Sequence, residues 1–307
     1  MQYSPHLNYL IDAFREQRPI RAGSLIITIY GDAIAPRGGT VWLGSLIHLL
    51  EPLGLSQRLV RTSVFRLSKE SWLLPEQIGR RSYYSLTASG RRRFEKAFKR
   101  VYVPVYPDWD GTWCLAVLSQ LSAEQRRTVR EELEWMGFGA LAPTVLAHPR
   151  CDRSEVMATL QELDALDHTL LFETKRQDPL ASKALRQQAC ECWNLQQLSD
   201  SYRNFLNRFR PVWQELKDKS QLDPQECFIA RTLMIHEYRK VLLRDPLLPE
   251  ELLPVDWEGR SARQLCRNLY RLIYAAAEQH LSQILETAEG PLPEPSPAFY
   301  KRFGGLN

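Results

Sequence analysis

The chain is short of nearly every signature that would mark it as secreted, membrane-borne or catalytic. Its six cysteines, Cys114, Cys151, Cys190, Cys192, Cys227 and Cys266, are scattered and lack zinc-like paired spacing. The CxC at Cys190 and Cys192 is a weak metal signal, and several of the others sit in apolar periodic segments. Buried, reduced thiols in a cytoplasmic protein are therefore expected, and no metal. No run approaches the roughly twenty apolar residues of a membrane span. The opening MQYSPHLNYLIDAFREQRP has no basic stretch followed by an apolar one, so no secretory signal is expected there. GxSxG, P-loop and paired-zinc patterns are missing, which leaves no hydrolase or nucleotide-binding signature and no cofactor to expect. No internal repeat of solenoid period is visible.

What is present is ordinary in amount and uneven in distribution. A length of 307 residues allows two or three domains, and 44% hydrophobic with 25% charged content is that of a globular chain. The net charge of +4 conceals a division: residues 1–107 hold sixteen Lys or Arg against seven Asp or Glu, and the remainder twenty-four against twenty-nine. A basic end on an acidic body points to a polyanion partner for the first part only.

That end is organised around residues 54–93, GLSQRLVRTSVFRLSKESWLLPEQIGRRSYYSLTASGRRR. Ser56 is a good N-cap, since its hydroxyl can take one of the free amide protons that open a helix. From there Leu59, Val60, Ser63, Val64 and Leu67 fall on one side of a helical wheel, and Gln57, Arg58, Arg61, Thr62, Phe65, Ser68 and Lys69 on the other. After Trp72 the period changes, and WLLPEQIG and RRSYYSLT read as two strands joined at Gly79-Arg80-Arg81. A basic helix beside a basic hairpin is what a duplex reader needs. A charged face is more often merely solvated, but residues 55–100 carry twelve Lys or Arg against Glu70, Glu76 and Glu95 alone, and that imbalance favours DNA. Gln57, Arg58, Arg61 and Thr62 lie nearest the N-terminal half and should meet base edges. Arg66 and Lys69 lie further along and, with Arg80 and Arg81 at the wing tip, should meet phosphate, unless the wing arginines enter the minor groove instead. Phe65 either touches a thymine methyl or packs under the wing.

Taken in order, residues 6–17 read as a short amphipathic helix closed by Pro19. GSLIITIYGDAI is a strand or, more in keeping with its neighbours, a buried helix capped by Ser24. Thr40 should cap the apolar helix VWLGSLIHLLEPL, in which a lone His48 is expected as a packing residue. Pro52 and Gly54 supply the turn before the basic helix. Thr87 or Ser89 caps a basic helix leading out, whose Arg91, Arg92 and Arg93 either touch phosphate or face water. Pro104 and Pro107 mark a first boundary. The order strand, helix, two strands, helix, strand that follows suggests a ferredoxin-like unit. Asp178-Pro179 opens a second boundary, after which the chain is mostly helical up to a Pro-rich tail, expected to be extended or disordered unless its aromatics Phe299, Tyr300 and Phe303 dock onto the body. The fold class expected is thus a multidomain α+β protein. It comprises a winged helix-turn-helix over 1–104, a ferredoxin-like middle domain over 105–178, a helical domain over 179–290 and the tail 291–307.

An enzyme alternative uses the middle domain as a metal-dependent nuclease, with Asp110 just before its first strand. Clustered carboxylates at matching spacing are not seen, and Asp110 is more simply a loop or capping residue.

The strings YGDAIAPRGGTVWLGSLIHLLEPLGLSQRLVRTSVFRLSKESWLLPEQIGRRSYYSL, WDGTWCLAVLS with WMGFGALAPTVLAHP, and HEYRKVLLRDPLLPEELLPVDWEGRSARQLCRNLY resemble the N-terminal, middle and C-terminal parts of the PaaX family. These are transcriptional repressors of phenylacetic acid degradation, and the similarity runs from about Gly23 to Leu306. The resemblance implies a homodimeric repressor that binds double-stranded operator DNA through the winged helix. It also implies release by an aryl-acyl-CoA effector, phenylacetyl-CoA, and no catalysis. For the effector two readings stay open. Apolar residues occupy nearly the whole circumference of the helix Gln225 to Arg244, which places Arg231, His236 and Arg239 among apolar neighbours. Internal ion pairs are the favoured account of such buried groups. In the other account Arg231, Arg239 and Arg263 bind CoA phosphates while Trp257 and Tyr270 hold the aryl group.

Overall fold

The computed structural model describes residues 3–103, 109–175 and 183–306. Both expected boundaries, at Pro104–Pro107 and at Asp178–Pro179, lie outside the described residues. The chain forms two compact units. One comprises Met1–Pro104, Arg203–Leu242 and Arg260–Asn307, and the other Val105–Tyr202 and Leu243–Gly259.

The first unit opens with α1 (Pro5–Arg15), which buries Leu7, Leu10, Ile11 and Phe14, spaced three and four apart on one face. The next segment is helix, not strand: α2 (Ala22–Ile29) buries Leu25, Ile26 and Ile29 and runs into a π turn, Tyr30–Ile34. Ser24 lies inside α2 and does not cap it; the cap position is Arg21, without a side-chain bond. Thr40 is likewise no cap. It begins a short strand, β1 (Thr40–Trp42), and the helix α3 (Leu43–Leu50) starts from the extended Trp42. His48 does not pack in a core: its side chain is 65% exposed, beside Glu51. It falls on the outer face of α3, opposite Leu46, Leu49 and Leu50. Gly54, at φ 76°, makes the left-handed turn that a side chain would oppose. It leads into α4 (Gln57–Lys69), where Ser56 Oγ accepts from Leu59 N at 3.3 Å. The hairpin follows as β2 (Leu73–Ile78) and β3 (Arg81–Leu86), paired antiparallel from Leu73↔Leu86 to Ile78↔Arg81, with β1 on the other edge of β3. Thr87 caps α5 (Ala88–Tyr102) by accepting from Gly90 N.

The second unit carries the expected order: β4 (Thr112–Val117), α6 (Ala123–Trp135), β5 (Gly139–Ala142), β6 (Val145–His148), α7 (Arg153–Glu162) and β7 (Leu170–Lys175). The sheet order β5-β6-β4-β7 is antiparallel throughout, and the two helices cover one face with Val129, Leu133, Val156 and Leu160 over Cys114, Ala116 and Leu146. This is the ferredoxin-like arrangement. Here α6 opens with a full capping box, Ser122 with Gln125. Also in this unit are α8 (Lys183–Cys192) and, after a break at Asn194 (φ 46°), the start of α9 (Leu195–Lys217).

The remaining elements are α10 (Pro224–Leu242), α11 (Glu258–Ile284), the ribbon β8 (Glu286–Thr287) and β9 (Gly290–Pro291), and α12 (Pro297–Tyr300). Among these elements α10 is apolar around most of its circumference and needs walls on several sides. It finds them in the first unit, against α1, α2 and α5. The tail docks through its aromatics: Phe299, Arg302, Phe303 and Leu306 are buried, and of the three aromatics only Tyr300 stays substantially exposed.

Arg302 explains why the tail docks. Its guanidinium lies 4.1 Å from the centroid of Tyr102 and 4.5 Å from that of Phe299, and Nη1 donates to Asp32 O at 2.8 Å and to Asp32 Oδ1 at 3.1 Å. The same carboxylate accepts from Tyr102 OH at 2.6 Å and Tyr270 OH at 3.0 Å, and it lies 2.8 Å from Arg231 Nε. Burial alone would raise the Asp32 pKa, but Arg231, Arg302 and the two phenols outweigh it and hold the carboxyl below its ordinary value. Replacing Asp32→Asn leaves Arg231 and Arg302 with an uncompensated buried charge, so stability should fall by about 3–5 kcal/mol, read as a lower urea midpoint. An unchanged midpoint would contradict the assignment. Because the folded pKa is depressed, the wild-type contribution is complete above the ordinary aspartate range and is lost as pH falls through the folded value. The variant lacks that acid limb.

Candidate nucleic-acid interface and effector residues

The exposed side of α4 follows from its sequence period. Val60, Ser63, Val64 and Leu67 are buried and Leu59 half-buried, whereas Gln57, Arg58, Arg61, Thr62, Phe65, Arg66 and Lys69 face solvent. Gln57 and Arg61 stand one turn apart. With its amide oxygen turned toward Arg61, Gln57 accepts from Arg61 Nε at 3.3 Å and Nη2 at 3.0 Å, which joins two of the expected base-reading groups. The hydroxyl of Thr62 donates back to Arg58 O at 2.9 Å. Phe65 does not pack under the wing: it is 61% exposed, with Lys69 Nζ 5.5 Å above its ring. Arg66 lies 3.6 Å from Glu70 and reaches the first turn of α2, where a Cβ on Gly23 would stand 2.9 Å from its Nη2.

Of β2 only Leu73 is buried, while β3 anchors the hairpin through Tyr83 and Leu86, and Arg80 is exposed at the tip. Arg81 is held rather than free. Its guanidinium stacks 4.1 Å above Trp42 and Nη1 contacts Glu286 Oε2 at 2.7 Å, a bond that raises its pKa. Glu286 and Trp42 had no signal in the sequence, because only the closed fold brings β1, β3 and β8 together. The run Arg91, Arg92 and Arg93 is exposed, and Arg93 lies 4.7 Å over Trp72.

The proposed effector residues scatter. Arg231 is wholly buried between Asp32 and Glu278, whose Oε1 is 2.6 Å from Nη1, so the internal ion-pair reading describes it. Tyr270 is committed to Asp32. Arg263, half-exposed, donates to Val103 O at 3.1 Å. Trp257 belongs to the second unit, packed edge-on against Tyr202 at 5.6 Å. His236 is fully buried with Nδ1 3.0 Å from Thr28 Oγ1. That hydroxyl already donates to Ser24 O, so Nδ1–H is the donor and Nε2 is left buried without a partner. Burial, reinforced by Lys240, Arg239 and Arg21, holds the imidazole pKa down at about 2. Arg239 differs from Arg231: Nη2 donates to Ser24 O at 3.2 Å and to Ser24 Oγ at 3.0 Å, with no ion pair among the described residues. Asp110 caps its own loop, accepting from Thr112 N and Oγ1 and pairing with Lys175 at 3.1 Å. Among the described residues no group of three His, Cys, Asp or Glu side chains could hold a metal ion.

Comparison with known proteins covers the same segments. Residues 21–90 match the family described as PaaX-like protein, residues 106–186 the PaaX protein central Cas2-like domain, and residues 193–283 the PaaX-like protein C-terminal domain. The chain is 44% identical over 290 residues to the transcriptional repressor PaaX of Escherichia coli (strain K12), covering 94% of this chain and 92% of that protein. Among solved structures it is similar in fold to the Rv0674 protein of Mycobacterium tuberculosis. The TM-score is 0.52 at 20% identity, over 85% of this chain and 98% of that one.

The buried neutral His236 gives a pH signature. The folded state refuses a proton that the unfolded chain accepts below about pH 6.5, so stability falls as pH drops, by about 2 kcal/mol between pH 7 and pH 5. In His236→Gln that contribution should vanish from denaturation curves taken at the two pH values. An unchanged pH slope would show the ring to be protonated in the fold.

Proposed function

The chain belongs to the PaaX family, and on that premise we propose that it is a transcriptional repressor of phenylacetate catabolism genes, bound to its operator as a homodimer and released by an aryl-acyl-CoA thioester such as phenylacetyl-CoA. The observation that carries the DNA part is the solvent-facing side of α4, which presents Gln57, Arg58, Arg61 and Thr62 beside a wing with Arg80 and Arg81. In this reading the N-terminal half of α4 enters the major groove and meets base edges, and Arg66, Lys69, Arg80 and Arg81 meet phosphate. Phe65, exposed on the same face, is placed to meet a thymine methyl. Of the effector candidates Arg239 and Arg263 keep donors for a ligand, whereas Arg231 and Tyr270 serve the internal ion cluster. The protein acts in the cytoplasm, and no helix of the described residues is long and apolar enough to cross a membrane. It is not an enzyme; Asp110, the residue a nuclease reading would use, is spent on its own loop.

Two substitutions separate the assigned roles. Arg61→Ala should relax base preference at one operator position by about 1–3 kcal/mol. Arg81→Ala should weaken all sequences alike and lower the salt slope by about one unit. Footprinting and salt-dependent binding measure both, and equal effects on specificity would overturn the division between base and phosphate contacts.

A further inference from the structure

Among the described residues of the first unit the buried Arg37, Arg231 and Arg302 are matched by carboxylates, and the half-buried Arg239 is not. Arg37 and Arg231 share Glu278, and Arg231 and Arg302 share Asp32, but the carboxylates stop there. Arg239 has no counter-charge among the described residues, and its Nε is buried without a partner. Burial pushes its pKa below the ordinary arginine value. A guanidinium in this position is costly unless something else supplies an acceptor.

The same side chain lines a cavity whose other walls include Thr28 of α2, Phe94, Phe98 and Tyr102 of α5, and Ile235 of α10. The walls are mostly aromatic and aliphatic; Asp32 also lines the cavity but is paired with Arg231 and Arg302, which leaves Arg239 as the cation without a counter-charge among them. Its volume is about 30 Å³. That admits roughly two water-sized groups, against the ~150 Å³ of an engineered cavity that takes benzene. A ring can enter only if Phe94 and Phe98 give way, and both stand on α5. Phe94 packs against Trp72 at 5.5 Å, at the base of the wing, and Trp72 O accepts from Thr87 N, the cap of α5.

We propose that this cavity is the site for an arylacetyl group, with the ring lodged between Phe94, Phe98 and Ile235 and Arg239 donating to the acyl oxygen. The proposal rests on the effector reading above and places that effector inside the DNA-binding unit. A ligand that binds only when α5 has shifted favours the arrangement in which the base of the wing has also moved. The thioester and the free arylacetate share the recognised chemistry, a flat ring three bonds from an oxygen acceptor.

Full-length protein is titrated by calorimetry with phenylacetyl-CoA, phenylacetate and CoA alone, and operator release is followed by mobility shift. The wild type should bind at least one arylacetyl compound and bind CoA alone more weakly, and the better of the two names the source. Arg239→Met should weaken that binding roughly tenfold or more. Its melting temperature should be unchanged or higher, since an unmatched charge has gone. Ile235→Phe, which fills the cavity, should lose binding; should it fail to fold, Arg239→Met decides alone. The proposal is overturned by wild-type affinity in folded Arg239→Met, by a large fall in its melting temperature, or by a wild type that binds neither arylacetyl compound. A wild type that forms no operator complex would sink the repressor reading instead. Release of both variants at wild-type ligand concentration would sink this site and leave that reading standing.

Discussion

The first unit depends on one carboxylate. Asp32 sits in the π turn that closes α2, almost without solvent exposure, and an isolated ion there would be expelled or protonated. It stays ionised because α5 supplies Tyr102, α10 supplies Arg231, α11 supplies Tyr270 and the tail supplies Arg302, all within hydrogen-bonding or ion-pairing distance. Those groups come from positions 102 to 302, so satisfying one charge ties the winged helix to segments far away in sequence. A hydrophobic core of the same volume could be as stable. What the charge adds is register, since only one placement of α5, α10, α11 and the tail satisfies every oxygen. Gly31, next to Asp32, serves the same closure: a Cβ there would stand 2.7 Å from Phe94, so the π turn and α5 meet only because the side chain is missing.

Legibility in the sequence followed range. α4, its Ser56 cap, the hairpin and the ferredoxin-like order were visible because each is written in neighbouring residues, as a capping hydroxyl, a period of 3.6 or a period of 2. Thr40 and Ser24 misled because a hydroxyl before an apolar run looks like a cap, whereas pairing with Ser85 of β3 turns Thr40 into a strand residue. The expected base-reading side of α4 is exposed as its period implied, but Arg81 could not be read alone. Glu286 and Trp42 decide its geometry, and neither is near it in sequence. The tail shows the same limit more sharply. A Pro-rich segment ordinarily lacks the apolar content to fold by itself, and Arg302 docks it through partners that exist only after α5 and α11 have assembled.

The division into units bears on regulation. Residues 203–242 and 260–307 share a unit with the winged helix, so a signal received there need not cross from one unit to the other. Within the unit α2 lies against both α4 and α10. Its first turn makes the connection at the level of side chains: Gly23 leaves room for Arg66 of α4, and Ser24 accepts from Arg239 of α10. Consecutive residues of one short helix thus meet a guanidinium from the candidate DNA-reading side and another from the candidate ligand side. A helix of eight residues, buried through most of its length, cannot adjust to one without presenting the consequence to the other. Coupling still requires that a ligand bind two arrangements unequally. The inequality has a concrete source in the bond between Arg239 and Ser24, because a guanidinium turned to an acyl oxygen withdraws a donor from the turn that also seats Arg66.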